Sequence, residues 1–175
     1  GVIAAPMTYQ LDGEQYVAVL AGWGGVWALA PGLLSTKSGA VPNISRLLVY
    51  KLGGTAKLPP APPLELRPLD PPPLKADAAT VKRGAESYSR FCGTCHGDAA
   101  IGGTLNPDLR RSAALEDAAT WSTIVHDGGL ADNGMVSFAK VLTKAQVEEV
   151  RQYVIARAHE DKALELQAKA AAKGK

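Results

Sequence analysis

Eight of the twelve prolines in this 175-residue chain crowd into residues 57–75: Pro59, Pro60, Pro62, Pro63, Pro68, Pro71, Pro72 and Pro73. Proline locks φ at about −65° and removes a backbone donor, so this stretch cannot be helix or inner strand. It splits the chain into two regions that must fold by different rules. The stretch 57–76 reads as an extended, semi-rigid connector rising about 3.1 Å per residue where polyproline II forms. A recognition segment for a proline-binding domain is the sharper alternative, but sequence of folded character lies on both sides.

Residues 1–56 are rich in Gly, Val and Leu and read as strands. Apolar segments flank Asp12-Gly13, a pair that tolerates the positive φ angles of a tight hairpin. A third strand is expected from Ile44 to Leu52, closed by Gly53-Gly54. Between them, Ala21-Gly22-Trp23-Gly24-Gly25-Val26-Trp27 is too glycine-rich for a sheet interior, which suggests close approach of backbone to a ligand or another chain. Three strands cannot enclose much of a core, so this region is expected to be a piece of a larger sheet.

Residues 77–158 follow helical rules. Asp77 is placed to cap a helix whose face carries Val81, Ala85, Tyr88 and Phe91. A short helix after Asp117 presents Trp121, Ile124 and Val125 and stops at Gly128-Gly129. Thr143 and Gln146 form a capping-box pattern before Val147, Val150, Val154 and Ala158. From His159 to Lys175 the sequence turns Ala- and Lys-rich without an apolar face, and this tail is expected to fray.

Both cysteines fall within one short run, Cys92-Gly93-Thr94-Cys95-His96. A long-range disulfide framework inside this chain is therefore excluded. Two thiols at this spacing can form thioethers with the two vinyl groups of a porphyrin, and the adjoining imidazole then lies under the iron. A thioredoxin-like pair would follow a strand, whereas this one follows a helix. A zinc site would need two further ligands, and no second Cys or His pair is present. Covalent haem c is the expected cofactor, with Cys92 and Cys95 as attachment points and His96 as an axial ligand.

A low-spin carrier needs a second axial ligand. Of the two methionines, Met7 lies among the strands, whereas Met135 follows a Gly-rich loop in the helical region. Its soft thioether favours Fe(II) and is the expected ligand; filling a gap in the core is the plainer reading. His126 is the runner-up, and His159 reads as a surface residue. Ligating histidines usually donate their other N–H to a carbonyl, and Pro107 in Asn106-Pro107-Asp108-Leu109 is the candidate acceptor. Arg110, Arg111 and Trp121 are candidates to bind haem propionates; equally, the arginines are solvated and Trp121 is a core aromatic.

Composition narrows the function classes. A net charge of +2, with no basic face, does not argue for nucleic acid. The most apolar run, Val17 to Leu34, contains four glycines and a proline and does not suit a membrane-spanning helix. No secretory leader is read, and a chain opening on Gly1 is expected to be a mature form or a fragment.

With these residues in hand, 77–158 resembles a class I cytochrome c domain: Gly84 and Tyr88 in the first helix, the Cys92–His96 motif, Asn-Pro-Asp-Leu, the Gly-Met-x-x-Phe loop and Tyr153 in the last helix. The resemblance implies that Gly84 meets Tyr153 where the first and last helices cross. The whole chain resembles the C-terminal end of a quinohaemoprotein alcohol dehydrogenase. The order of parts and the segment 6–25 carry that narrower likeness. It implies a mainly α cytochrome c domain, preceded by a Pro-rich linker and antiparallel β strands that are the end of a β-propeller.

The division implied is 1–56 for the propeller end, 57–76 for the linker, 77–158 for the cytochrome domain and 159–175 for the Lys/Ala-rich tail. The resemblance further implies pyrroloquinoline quinone (PQQ) and calcium in the parent enzyme, with Trp23, Gly24, Gly25 and Val26 near the quinone. The family's catalytic aspartate and calcium ligands lie in the propeller portion, so no catalytic residue is assigned within this chain. Its implied role is to carry electrons from reduced quinone to a soluble acceptor, such as a small copper protein or another cytochrome, in the periplasm. The propeller portion of the same enzyme is its other implied partner. The alternative is an independent haem-binding sensor or structural module that oxidises no alcohol.

Overall fold

A computed structural model describes residues 2, 4–22, 44–60, 67–102 and 106–173. Trp23, Gly24, Gly25 and Val26 lie outside the described residues. Three strands, β1 (Met7–Leu11), β2 (Glu14–Ala21) and β3 (Arg46–Lys51), form an antiparallel sheet in the order β1-β2-β3. Asp12 and Gly13 take φ of 51° and 80°, the paired positive angles that a two-residue hairpin of matching twist requires. The turn sets Leu11 opposite Glu14 and Tyr9 opposite Tyr16, whose rings stack at 5.2 Å. The third strand is slightly shorter than the expected 44–52.

The sheet buries very little. Ala18, 2% exposed, is the one buried apolar residue among the described strand positions. Met7, Leu11, Leu20, Leu47 and Tyr50 are all more than half exposed. An isolated three-stranded sheet with so little covered surface is marginal in water.

The helical region carries the core. Helices α1 (Ala78–Phe91), α2 (Gly93–His96), α3 (Ala118–Val125) and α4 (Lys144–Lys173) are joined by four short 3₁₀ turns among the described residues. Asp77 accepts from the Thr80 amide at 2.8 Å, which starts α1. Asp117 accepts from the amides of Ala119 and Thr120 and starts α3. Thr143 and Gln146 close a reciprocal box before α4, each accepting from the other's backbone N–H. Tyr88, Trp121, Val125, Leu142, Val147, Val150, Val154 and Ile155 interlock in one cluster.

Helices α1 and α4 cross where Gly84 lies against the backbone of Glu149. A Cβ at Gly84 would sit 2.0 Å from the Glu149 carbonyl oxygen and 3.0 Å from Tyr153 Cβ. Tyr88 and Tyr153 then meet with ring centroids 5.2 Å apart, and the Tyr88 hydroxyl donates to the Gly97 carbonyl at 2.7 Å.

Two expectations change. The tail from His159 does not fray: α4 continues to Lys173. Ala, Leu, Lys, Glu and Gln lose little entropy in a helix, and Asp161 and Glu165 are tied by ion pairs to Arg110 and Arg111. The second half of the proline-rich stretch is also no free tether. Leu69 is 4% exposed, the Pro72 carbonyl accepts from His159 Nε2 at 2.8 Å, and Asp70 pairs with Lys162. The Lys75 amide donates to Gln152. Having no helical or sheet partner of its own, the segment finds polar partners on α4.

Candidate haem site

Helix α1 ends at Phe91, and the next residues build one wall of a cavity of about 410 Å³. The Cys92 amide bonds back to Tyr88, and those of Cys95 and His96 to the Cys92 carbonyl, at 2.8–3.1 Å. This single extra turn brings both sulfurs and the imidazole to the same cavity. Cys92 and His96 are buried, while Cys95 is exposed at the rim.

His96 is held in one tautomer. Its Nδ1 lies 3.1 Å from the Pro107 carbonyl oxygen, which can only accept, so Nδ1 carries the proton. Nε2 is left with its lone pair. Burial holds the imidazole below its usual pKa, against a smaller opposing effect of the Pro107 bond. The site therefore presents a neutral nitrogen of the kind iron binds. The turn carrying Pro107 is fixed on both sides: Asn106 Nδ2 donates to the Cys95 carbonyl at 2.7 Å, and a Cβ at Gly102 would lie 2.5 Å from the Pro107 oxygen. Glycine at 102 lets the turn approach that closely.

Met135 lines the same cavity, after the 3₁₀ turn Ala131–Asn133 and left-handed Gly134 (φ 91°). The Met135 amide bonds to the Leu130 carbonyl at 3.1 Å and that of Phe138 to Val125, which fastens this loop to the end of α3. Much of the remaining wall is apolar, including Phe91, Leu109, Ile124, Val125 and Phe138. Two thiols, an imidazole and a thioether around an apolar cavity match the donor set and surface of a covalently held porphyrin. Among the described residues no three His, Cys, Asp or Glu side chains gather as a bare-ion site.

The other sequence candidates have partners of their own. His126 is outside the cavity lining, its Nδ1 2.6 Å from Asp127. The arginines do not turn to the cavity for a propionate. Arg110 pairs with Asp108 and Asp161, and Arg111 with Glu165 and the Arg67 carbonyl. Trp121 is a core aromatic, 3% exposed, that lines the cavity by its ring while its Nε1 donates to the Val147 carbonyl at 3.0 Å. Sequence reasoning gave Asp161 no part here, because only the fold brings α4 back against the 106–111 turn.

Residues 79–154 match the family described as cytochrome c oxidase, cbb3-type, subunit III. The chain is 43% identical over 160 residues to the quinohaemoprotein alcohol dehydrogenase ADH-IIG of Pseudomonas putida, covering 91% of this chain and 22% of that protein. It is 40% identical to the dehydrogenase subunit of the alcohol dehydrogenase (quinone) of Gluconobacter oxydans, over 91% of this chain and 21% of the relative. A solved structure of ADHIIG from Pseudomonas putida HK5 superposes with a TM-score of 0.79 at 45% identity, over 91% of this chain and 23% of that one. The chain thus spans about a fifth of the length of these relatives.

Proposed function

The chain belongs to the quinohaemoprotein alcohol dehydrogenase family, and on that premise we propose that it is the haem-bearing, electron-transferring segment of such an enzyme. The observation that carries this reading is the convergence of Cys92, Cys95, His96 and Met135 on one apolar cavity. Bound haem supplies a one-electron redox centre.

The residues of the chain divide the work of holding it. Cys92 and Cys95 anchor the porphyrin as thioethers. Burial pushes the Cys92 thiol up to about 12, so the pocket resists a thiolate and accepts an uncharged thioether. His96 binds iron through Nε2, with Pro107 fixing its tautomer. Met135 supplies a soft sulfur that raises the potential relative to two histidines.

The division into propeller end (1–56), linker (57–76), cytochrome domain (77–158) and tail (159–175) belongs to the same proposal. The exposed apolar positions of the sheet support its being part of a larger sheet. In the parent enzyme the propeller portion holds PQQ and calcium, with Trp23, Gly24, Gly25 and Val26 close to the quinone. Alcohol oxidation happens there, and electrons leave through this chain to a soluble acceptor, a small copper protein or a cytochrome. The compartment is the periplasm, where haem is attached covalently. No helix among the described residues is long and apolar enough to cross a membrane. The strapping of residues 67–75 onto α4 leaves at most residues 57–66 to act as the connector, and a short connector keeps the effective concentration of haem near the quinone high.

The test is direct. Produced with a covalent haem-attachment system, the chain keeps its haem after denaturation and acidic solvent extraction, and Cys92→Ala/Cys95→Ala releases it. Haem retained by the double variant would refute the attachment. Reduced wild-type protein does not bind carbon monoxide at neutral pH, whereas Met135→Ala does. Ready binding by the wild type would instead support a sensor with an open iron position. Mixed with the propeller portion, PQQ and calcium, the chain is reduced on adding alcohol; persistent oxidation would count against the parent enzyme.

A further inference from the structure

The carbonyl that orients His96 is held from behind by an ion cluster that reaches the C-terminal helix. Asp108 follows Pro107 directly, so the Pro107 carbonyl and the Asp108 amide share one peptide plane. Arg110 grips both oxygens of Asp108, Nε to Oδ1 at 2.9 Å and Nη2 to Oδ2, while its Nη1 donates to Asp161 Oδ2 at 2.8 Å. The Arg110, Asp108 and Asp161 side chains are only 10%, 18% and 14% exposed. Arg157, one turn earlier on α4, donates to both Asp161 oxygens at 3.1–3.2 Å.

A planar guanidinium that satisfies two carboxylates at once fixes their relative position far better than a point charge does. Because the cluster is largely shielded from water, removing one member leaves the others with uncompensated charge rather than merely one contact fewer. Asp161 thus braces Arg110, Arg110 braces Asp108, and the peptide between Asp108 and Pro107 presents its oxygen to the His96 ring at 3.1 Å. A firm Nδ1–H···O bond makes the imidazole a stronger electron donor and favours Fe(III).

We propose that Asp161 is a positioning residue for His96, acting through Arg110 and Asp108 to fix the Pro107 carbonyl and so to lower the haem potential. This rests on the reading of His96 as the iron ligand. The tail beyond residue 158 would then tune the redox centre instead of only ending the fold.

The experiment uses the full haem-loaded chain and two readouts: the midpoint potential, and exchange of the His96 Nδ1 proton by ¹⁵N NMR. In Asp161→Asn that exchange is expected to speed up at least tenfold and the potential to rise. Asp161→Asn also removes a negative charge, so Arg110→Lys, which conserves charge but loses the fork, is the decisive partner and is expected to shift both in the same direction. Asp161→Glu restores wild-type values. Lys162→Gln, which breaks the neighbouring exposed pair with Asp70, leaves both unchanged. The proposal is overturned if Arg110→Lys and Asp161→Asn exchange at the wild-type rate, or if Lys162→Gln shifts both readouts as far as they do. Failure of the ligand reading is separate: the ring protons of His96 would show no paramagnetic shift in oxidised wild-type protein.

Discussion

Replacing Gly84 by alanine tests the helix crossing on which the haem site is built. The new methyl group would lie 2.0 Å from the Glu149 carbonyl oxygen, where real Cβ atoms essentially never come within 3.0 Å. The obstacle is backbone and cannot rotate away, so α1 and α4 must separate locally by about 1 Å. A gap of that size forfeits roughly a quarter to a half of the dispersion energy of each contact across it. The contacts at stake include the Tyr88–Tyr153 pair and the packing of Val150 and Val154. Overpacking of this kind costs typically about 1–3 kcal/mol, and the better helix propensity of alanine returns about 1 kcal/mol. Because relief requires moving a helix, the net loss should be about 2 kcal/mol, which lowers Tm by roughly 10 °C for a domain of this size. Thermal unfolding of the haem-loaded chain, followed by far-UV circular dichroism, measures it. A Tm for Gly84→Ala equal to or above wild type would refute the close crossing.

Three further outcomes follow from single contacts. Asp117→Ala removes the cap that binds the Ala119 and Thr120 amides and should cost about 1 kcal/mol, read from the denaturant midpoint. Trp121→Phe gives up the bond to the Val147 carbonyl and leaves a small void in the core, costing about 2 kcal/mol by the same measurement. Glu148 is pushed up by burial but drawn further down by hydrogen bonds from Arg151 and Gln152, leaving its carboxyl below 4.5. A depressed carboxylate contributes stability that is present above pH 4.5 and lost as pH falls through its folded value. Glu148→Gln should therefore flatten the acid limb of the stability profile, seen in urea midpoints from about pH 5 to pH 3; a profile parallel to wild type would contradict the pairing.

Much of the local structure was legible in the residues because it depends on neighbours in the chain. Asp12-Gly13 makes its hairpin by backbone torsions alone, and Asp77, Asp117 and Thr143 start their helices through bonds spanning two or three residues. The haem motif likewise depends on spacing within a single turn. Contacts with distant partners were harder to read. The 159–173 helix has no apolar stripe to mark it; its anchors are Arg110, Arg111 and Asp70, some 50 to 90 positions away. The same long reach engages Arg110 with Asp161, Arg111 with Glu165 and the Trp121 N–H with the Val147 carbonyl.

Which atoms are available for haem chemistry follows from the residues and their spacing: two thiols a turn apart, an adjoining imidazole and a thioether in a glycine-flanked loop. Tertiary structure alone decided how they are held. It lined one cavity with Met135 and the Cys92–His96 turn, gave His96 its tautomer through a carbonyl eleven residues away, and braced that carbonyl with an aspartate on the last helix. The physical reason is that covalent reactivity belongs to the side chain, whereas desolvation and orientation belong to whatever the fold packs beside it.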